Sequence, residues 1–268
     1  EPIYDARTLG APRMLVLGFQ HMFAMFGATV LVPTLTGLSV STTLLFAGLG
    51  TLLFHLLAKG KVPAFLGSSF AFLGGYAAIA PMLENPNSPG VFNVPNTELL
   101  PYACFGVACA GLVYLVLSLL FKVFGVRKVM RFFPPIVTGP IIIAIGLSLS
   151  SSAVNNCATS WPVALVAILV VIVCNIWGKG MIKIIPVLLG VIASYLVGAV
   201  SGQVDFTAVR EAAWIGLPVT WSETVFGLFG SGNVDTAMLA TAAITIIPIS
   251  LATMVEHIGD MCAISSTC

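Results

Sequence analysis

Of 268 residues, 58% are hydrophobic and 8% charged, against about a quarter charged in soluble globular proteins, so the composition is that of an integral membrane protein. A formal net charge of +1 without a basic cluster excludes a nucleic-acid-binding surface. The six cysteines (Cys104, Cys109, Cys157, Cys174, Cys262 and Cys268) show neither CxxC spacing nor a His cluster, so they read as small apolar packing residues; neither metal nor cofactor is expected.

Apolar runs of spanning length occur near 14–36, 40–58, 63–83, 101–124, 134–154, 161–178, 184–201 and 237–264, which predicts an all-α polytopic membrane protein with eight transmembrane spans. Crossing at every run places Arg7, Arg13, Lys59, Lys61, Lys122, Arg127, Lys128, Arg131, Lys179 and Lys183 on one side. Arg210 falls opposite, with Glu84, Glu98, Asp205, Glu211, Glu223 and Asp235. The positive-inside rule then predicts a cytoplasmic N-terminus in the inner or plasma membrane. Loops on the outer side are longer. Asn85-Pro86-Asn87-Ser88-Pro89-Gly90 reads as turn-rich surface, and Trp214 and Trp221 as interfacial anchors. The chain begins at Glu1 and stops at Cys268 within an apolar stretch with no cap or flanking charge, so an N-terminal fragment of a longer protein is expected.

Span one carries Gln20-His21, a polar pair in an apolar helix, suited to a helix-to-helix hydrogen bond or to a ligand; its Gly27-Ala28-Thr29 admits close approach of another backbone or a small solute. Span three, Pro63 to Gly75, is the least helix-like: Pro63, Gly67, Gly74, Gly75 and Ser68-Ser69 interrupt helical bonding, and Phe70-Ala71-Phe72 alternates as a short strand does. Irregular backbone at membrane depth persists only where it is buried or lines a cavity, and broken spans point to a transporter's binding site. A kink repaired by neighbouring helices is the competing account. Pro140 predicts a kink in span five.

Span eight contains Glu256-His257-Ile258-Gly259-Asp260. Carboxylates at membrane depth are costly, about 2.5 to 3.5 kcal/mol on insertion scales, and so mark function by default. Glu256 and Asp260, four apart, share one helix face, with Thr253 one turn earlier. Two carboxyls on one helix face at membrane depth suit proton exchange. HExxH is absent, which weakens a membrane-embedded enzyme using Glu256, His257 and Asp260; rings of pore-lining charge, expected of a channel, are also absent. A faint echo aligns Gln20-His21-Met22-Phe23-Ala24-Met25 with Glu256-His257-Ile258-Gly259-Asp260-Met261. Spans one and eight would start on opposite faces, as an inverted repeat of seven spans requires.

The segments from Gln20 to Pro33, from Lys59 to Phe72, and Glu256-His257-Ile258-Gly259 resemble the nucleobase–ascorbate transporter family (nucleobase:cation symporter-2), most of all its bacterial uracil-carrying branch. The resemblance implies fourteen spans in a 7+7 inverted repeat, here truncated after span eight. It divides the chain into core (residues 1–124 and 236–268) and gate (125–235). It also implies proton-coupled symport of uracil by alternating access, with a xanthine or other purine permease as the alternative. Under it, Phe70 offers backbone N–H and ring to the base, Ala28 lines the pocket and Glu256 hydrogen-bonds the pyrimidine edge. Asp260, at a position occupied by His in some family members, is tied with Glu256 to proton coupling. Gln20, His21, Ser69 and His257 are the supporting polar residues. The implied partners are uracil, protons, the lipid bilayer and a second copy in a homodimer; a second acidic contact belongs to a tenth span that this sequence lacks.

Overall fold

The computed structural model describes residues 10–86, 88–132, 135–211, 216–230 and 234–267. In chain order its principal elements are α1 (Ala11–Ala24), α2 (Phe26–Thr36), α3 (Val40–Leu57), α4 (Leu73–Ile79), β1 (Leu83–Asn85), β2 (Ser88–Val94), α5 (Leu100–Phe124), α6 (Pro135–Ala158), α7 (Trp161–Trp177), α8 (Pro186–Val200), α9 (Thr236–Ile246) and α10 (Ile249–Thr267). Each apolar stretch of the sequence contains helix. Among the described residues, four stretches are long and apolar enough to cross a membrane: Val40–Leu57, Leu100–Phe124, Gly139–Ala158 and Thr236–Cys262.

Two expectations need correction. The chain is not purely helical: β1 and β2 form an antiparallel hairpin, pairing Leu83 with Val94 and Glu84 with Phe92. The segment read as turn-rich makes it, stapled by Asn85 Nδ2 donating to Asn93 Oδ1 (3.0 Å) and the Gly90 N–H donating to Glu84 Oε1 (2.6 Å). The stretch read from the sequence as span three has no regular structure from Pro63 to Ser69, but Phe70–Phe72 forms a 3₁₀ turn instead of a strand. Three alternating residues without a paired strand close their hydrogen bonds locally: Ser69 Oγ accepts the Ala71 N–H, and the Leu73 N–H reaches the Phe70 carbonyl.

Two compact units are distinguished, Glu1–Gly27 with Leu149–Leu217, and Ala28–Ser148 with Pro218–Cys268. In the first, α7 and α8 pack backbone to backbone at Gly190, where a methyl group would lie 2.8 Å from Val171 Cγ2 and 3.1 Å from the Ala167 carbonyl oxygen. Small residues permit such approach where no hydrophobic force drives helices together in lipid.

The second unit has its core between α4, α5 and α9: Tyr76, Ile79, Ala80, Leu100, Ala103, Ala110, Ala242 and Ile246. Helix α5 is inverted relative to a soluble helix. Its small residues Ala103 and Ala110 are fully buried, while Leu112, Leu115, Val116, Leu119 and Val123 are exposed, Leu115 by 67%. An apolar solvent explains this arrangement, because large aliphatic side chains lose nothing by facing lipid and small ones gain close packing. At Gly106 the α5 backbone meets α9, and at Gly75 the α4 backbone meets Ile246 and Ile249. These contacts fix α9, whose continuation into α10 carries the acidic stretch.

Candidate functional site

All contacts described here lie within the second unit. Helix α9 ends at Ile246, Pro248 interrupts the ladder, and α10 restarts at Ile249. The first turns of α10 are deeply packed, with Ser250, Thr253, Met254 and Val255 buried. Burial then fades along the helix: Glu256 is half-buried, His257 exposed and Asp260 exposed one turn later. The shared stripe of Thr253, Glu256 and Asp260 therefore runs from interior to surface.

The broken segment is held against this helix. Ser69 donates its hydroxyl to Glu256 Oε2 (3.3 Å) while accepting the Ala71 N–H (3.3 Å), so one side chain both caps the 3₁₀ turn and engages the carboxylate. Phe70, half-buried, follows at once as the first residue of that turn. Farther back, the Leu66 N–H donates to Thr51 Oγ1 (3.1 Å), tying the irregular stretch to α3. A methyl group at Gly67 would sit 2.9 Å from Thr29 Oγ1, so α2 touches the same stretch. Ala28 precedes Thr29 on α2; its side chain lies outside the described residues. The geometry thus gathers α2, the Gly67–Phe70 stretch and Glu256. Gln20 and His21 sit on α1 in the first unit; His21 is exposed, and the Gln20 side chain is outside the described residues.

Tyr114 of α5 was not among the sequence candidates, yet it reaches α10 twice: its hydroxyl donates to Thr253 Oγ1 (2.8 Å) and lies 2.8 Å from His257 Nδ1. The only sequence signal was a hydroxyl inside an apolar helix, a group that seeks a partner when buried. Glu223 was read only as a loop charge. Its Oε2 accepts the Ser39 N–H (2.8 Å) at the start of α3, where the helix dipole favours an anion, and its carbonyl accepts the Cys104 thiol (3.4 Å). The neighbouring Thr220 N–H donates to Thr42 Oγ1 (2.8 Å), so the Thr220–Glu223 stretch is docked on α3. A cavity of about 460 Å³ lies there, lined by Ser39, Thr42, Gly67, Ser68 and Glu223 with Phe46; Glu256 does not line it. A second space, about 620 Å³, borders Tyr114, Met254, His257 and Met261. Trp221 is exposed and meets Phe226 edge to face, whereas Trp214 lies outside the described residues.

A model of the permease family matches residues 12–268. The chain is 38% identical to the "Uracil permease" of Bacillus caldolyticus over 98% of this chain and 57% of that protein. It is 36% identical to the "Uracil permease" of Bacillus subtilis (strain 168), covering 92% of this chain and 54% of that protein. A "Probable uracil permease" of Haemophilus influenzae is 38% identical across 93% and 56% respectively. The chain spans about half the length of the curated relatives it matches.

Proposed function

Since the chain belongs to the permease family, whose model covers residues 12–268, we propose that the whole protein imports uracil across the cytoplasmic membrane in symport with protons, by alternating access. The observation that carries the reading is the engagement of Glu256 on α10 by Ser69 of the broken third span, 3.3 Å apart. A carboxylate held by the residue just before the Phe70 N–H is complementary to a planar base that presents ring N–H next to carbonyl. Glu256 accepts from the base N–H, the Phe70 N–H donates to its carbonyl, and the Phe70 ring covers its face, with Ala28 closing the pocket. Glu256 with Asp260, one turn nearer the surface, forms the proton-coupling pair, and Gln20, His21, Ser69 and His257 support the site.

In this reading the eight apolar stretches all cross, with a cytoplasmic N-terminus, as the charge distribution favours. Residues 1–124 and 236–268 belong to a core that carries the substrate, and 125–235 to a gate against which the core moves, in a 7+7 inverted repeat of which this chain holds the first repeat and one further span. Uptake of labelled uracil by cells expressing the full-length protein tests it. Accumulation should be abolished by an uncoupler and lost in Glu256→Gln, and Asp260→Asn should retain uracil exchange while losing proton-driven accumulation. Undiminished accumulation in both variants contradicts the reading, and displacement of uracil by equimolar xanthine would reassign the substrate to purines.

A further inference from the structure

The hydrogen bonds of Tyr114 have a direction that follows from counting protons. The Thr253 hydroxyl donates to the Ser250 carbonyl (3.0 Å), which spends its only proton. Thr253 Oγ1 is therefore an acceptor, and the Tyr114 hydroxyl donates to it (2.8 Å). Tyr114 has then spent its own proton, and its oxygen, 2.8 Å from His257 Nδ1, accepts a hydrogen bond. Nδ1 must supply it. The chain runs one way, from His257 Nδ1–H to Tyr114 to Thr253 to the Ser250 carbonyl. Neutral His257 is thereby held as the Nδ1–H tautomer, with the Nε2 lone pair left free.

These bonds also set the rotation of α10. Successive side chains on a helix project about 100° apart. Ser69 holds Glu256 from one direction and Tyr114 holds His257 from the next, while Thr253, buried and one turn earlier, anchors the same tyrosine. We propose that Tyr114 is a positioning residue: it fixes the tautomer of His257 and the rotation of α10, and so presents the Glu256 carboxylate to Ser69 and the base. The tautomer assignment stands on the hydrogen-bond geometry alone, whereas its consequence for the base rests on the function proposed above.

Nitrogen-15 spectra of histidine-labelled full-length protein in lipid bilayers test it, in buffer alkaline enough to keep imidazole neutral, with His257 assigned by its loss in His257→Asn. The wild type should show a protonated Nδ1 and a bare Nε2. In Thr253→Val the Tyr114 hydroxyl loses its acceptor and turns its proton to Nδ1, so the tautomer should reverse; in Tyr114→Phe the Nδ1–H preference should disappear and uracil affinity fall by roughly three- to tenfold, the worth of one hydrogen bond. A bare Nδ1 in the wild type, or an unchanged tautomer in Thr253→Val, overturns the proton order. Unchanged uracil affinity in Tyr114→Phe overturns the positioning role. A wild type that binds no uracil refutes the transport reading alone, and the tautomer still decides the hydrogen-bond chain.

Discussion

Replacing Gly106 by Ala should be among the most damaging one-methyl changes in the second unit. The added carbon would lie 2.7 Å from Ile246 Cδ1 and 2.8 Å from the Ala242 carbonyl oxygen. Ile246 can rotate a terminal methyl away, but the carbonyl is backbone of α9, so α5 and α9 must part by roughly 0.5 Å to restore ordinary contact. Overpacking of this kind costs about 1 to 3 kcal/mol, which corresponds to a fall in Tm of roughly 5 °C for a chain of this size. Gly111 on the same helix is the internal control, because a methyl group there meets nothing within 4 Å. Thermal unfolding of the purified protein, followed by tryptophan fluorescence in one detergent, should show Gly106→Ala destabilised and Gly111→Ala unchanged or slightly improved, since Ala is the better helix former. Because α9 leads into α10, Gly106→Ala should also weaken uracil binding. Equal melting temperatures for the two variants would refute the claim that backbone contact between α5 and α9 positions the acidic stretch.

Ser69→Ala removes both the bond to Glu256 and the cap of the 3₁₀ turn, a cap being worth about 1 kcal/mol; uracil affinity, measured by equilibrium dialysis, should fall roughly fivefold to tenfold, and unchanged affinity would remove Ser69 from the site. At the start of the short helix Thr207–Glu211, the hydroxyl of Thr207 (2.6 Å) and its N–H (2.8 Å) bond to Asp205 and hold its carboxyl below the usual carboxylate range. A lowered folded pKa contributes stability above the unfolded value and loses it as pH falls through the folded value. Thr207→Val should therefore raise the Asp205 titration midpoint toward normal in carbon-13 carboxyl spectra, with a negligible change in stability because the group is exposed.

The sequence made Glu256 conspicuous because an acid in an apolar helix violates the expected composition, and Ser69 because Ser-Ser beside Gly and Pro cannot continue a helix. Both signals are local and chemical, and the structure brings the two side chains together. The misread Phe70–Phe72 segment shows the limit of such signals: three residues of alternation carry no strand without a pairing partner, which is a tertiary fact. The hairpin at Leu83–Val94 was hidden for the same reason, its Pro- and Gly-rich residues reading as loop until the cross-strand Asn85–Asn93 bond is known. Tyr114 was illegible because an aromatic in an apolar run looks like lipid-facing surface; only its placement opposite Thr253 and His257 gives the hydroxyl a task. The shared face of Glu256 and Asp260 follows from helical spacing, but their different exposure depends on where α10 leaves its neighbours.

The central claim is that Glu256 is a direct ligand of the base. Calorimetric titration of uracil into the full-length protein and its Glu256→Gln variant, which keeps size and removes charge, tests this most directly. Loss of a hydrogen bond to a charged group, about 1.5 to 3 kcal/mol, predicts affinity lower by roughly 10- to 100-fold, with melting temperature preserved. Wild-type affinity in Glu256→Gln would contradict the account.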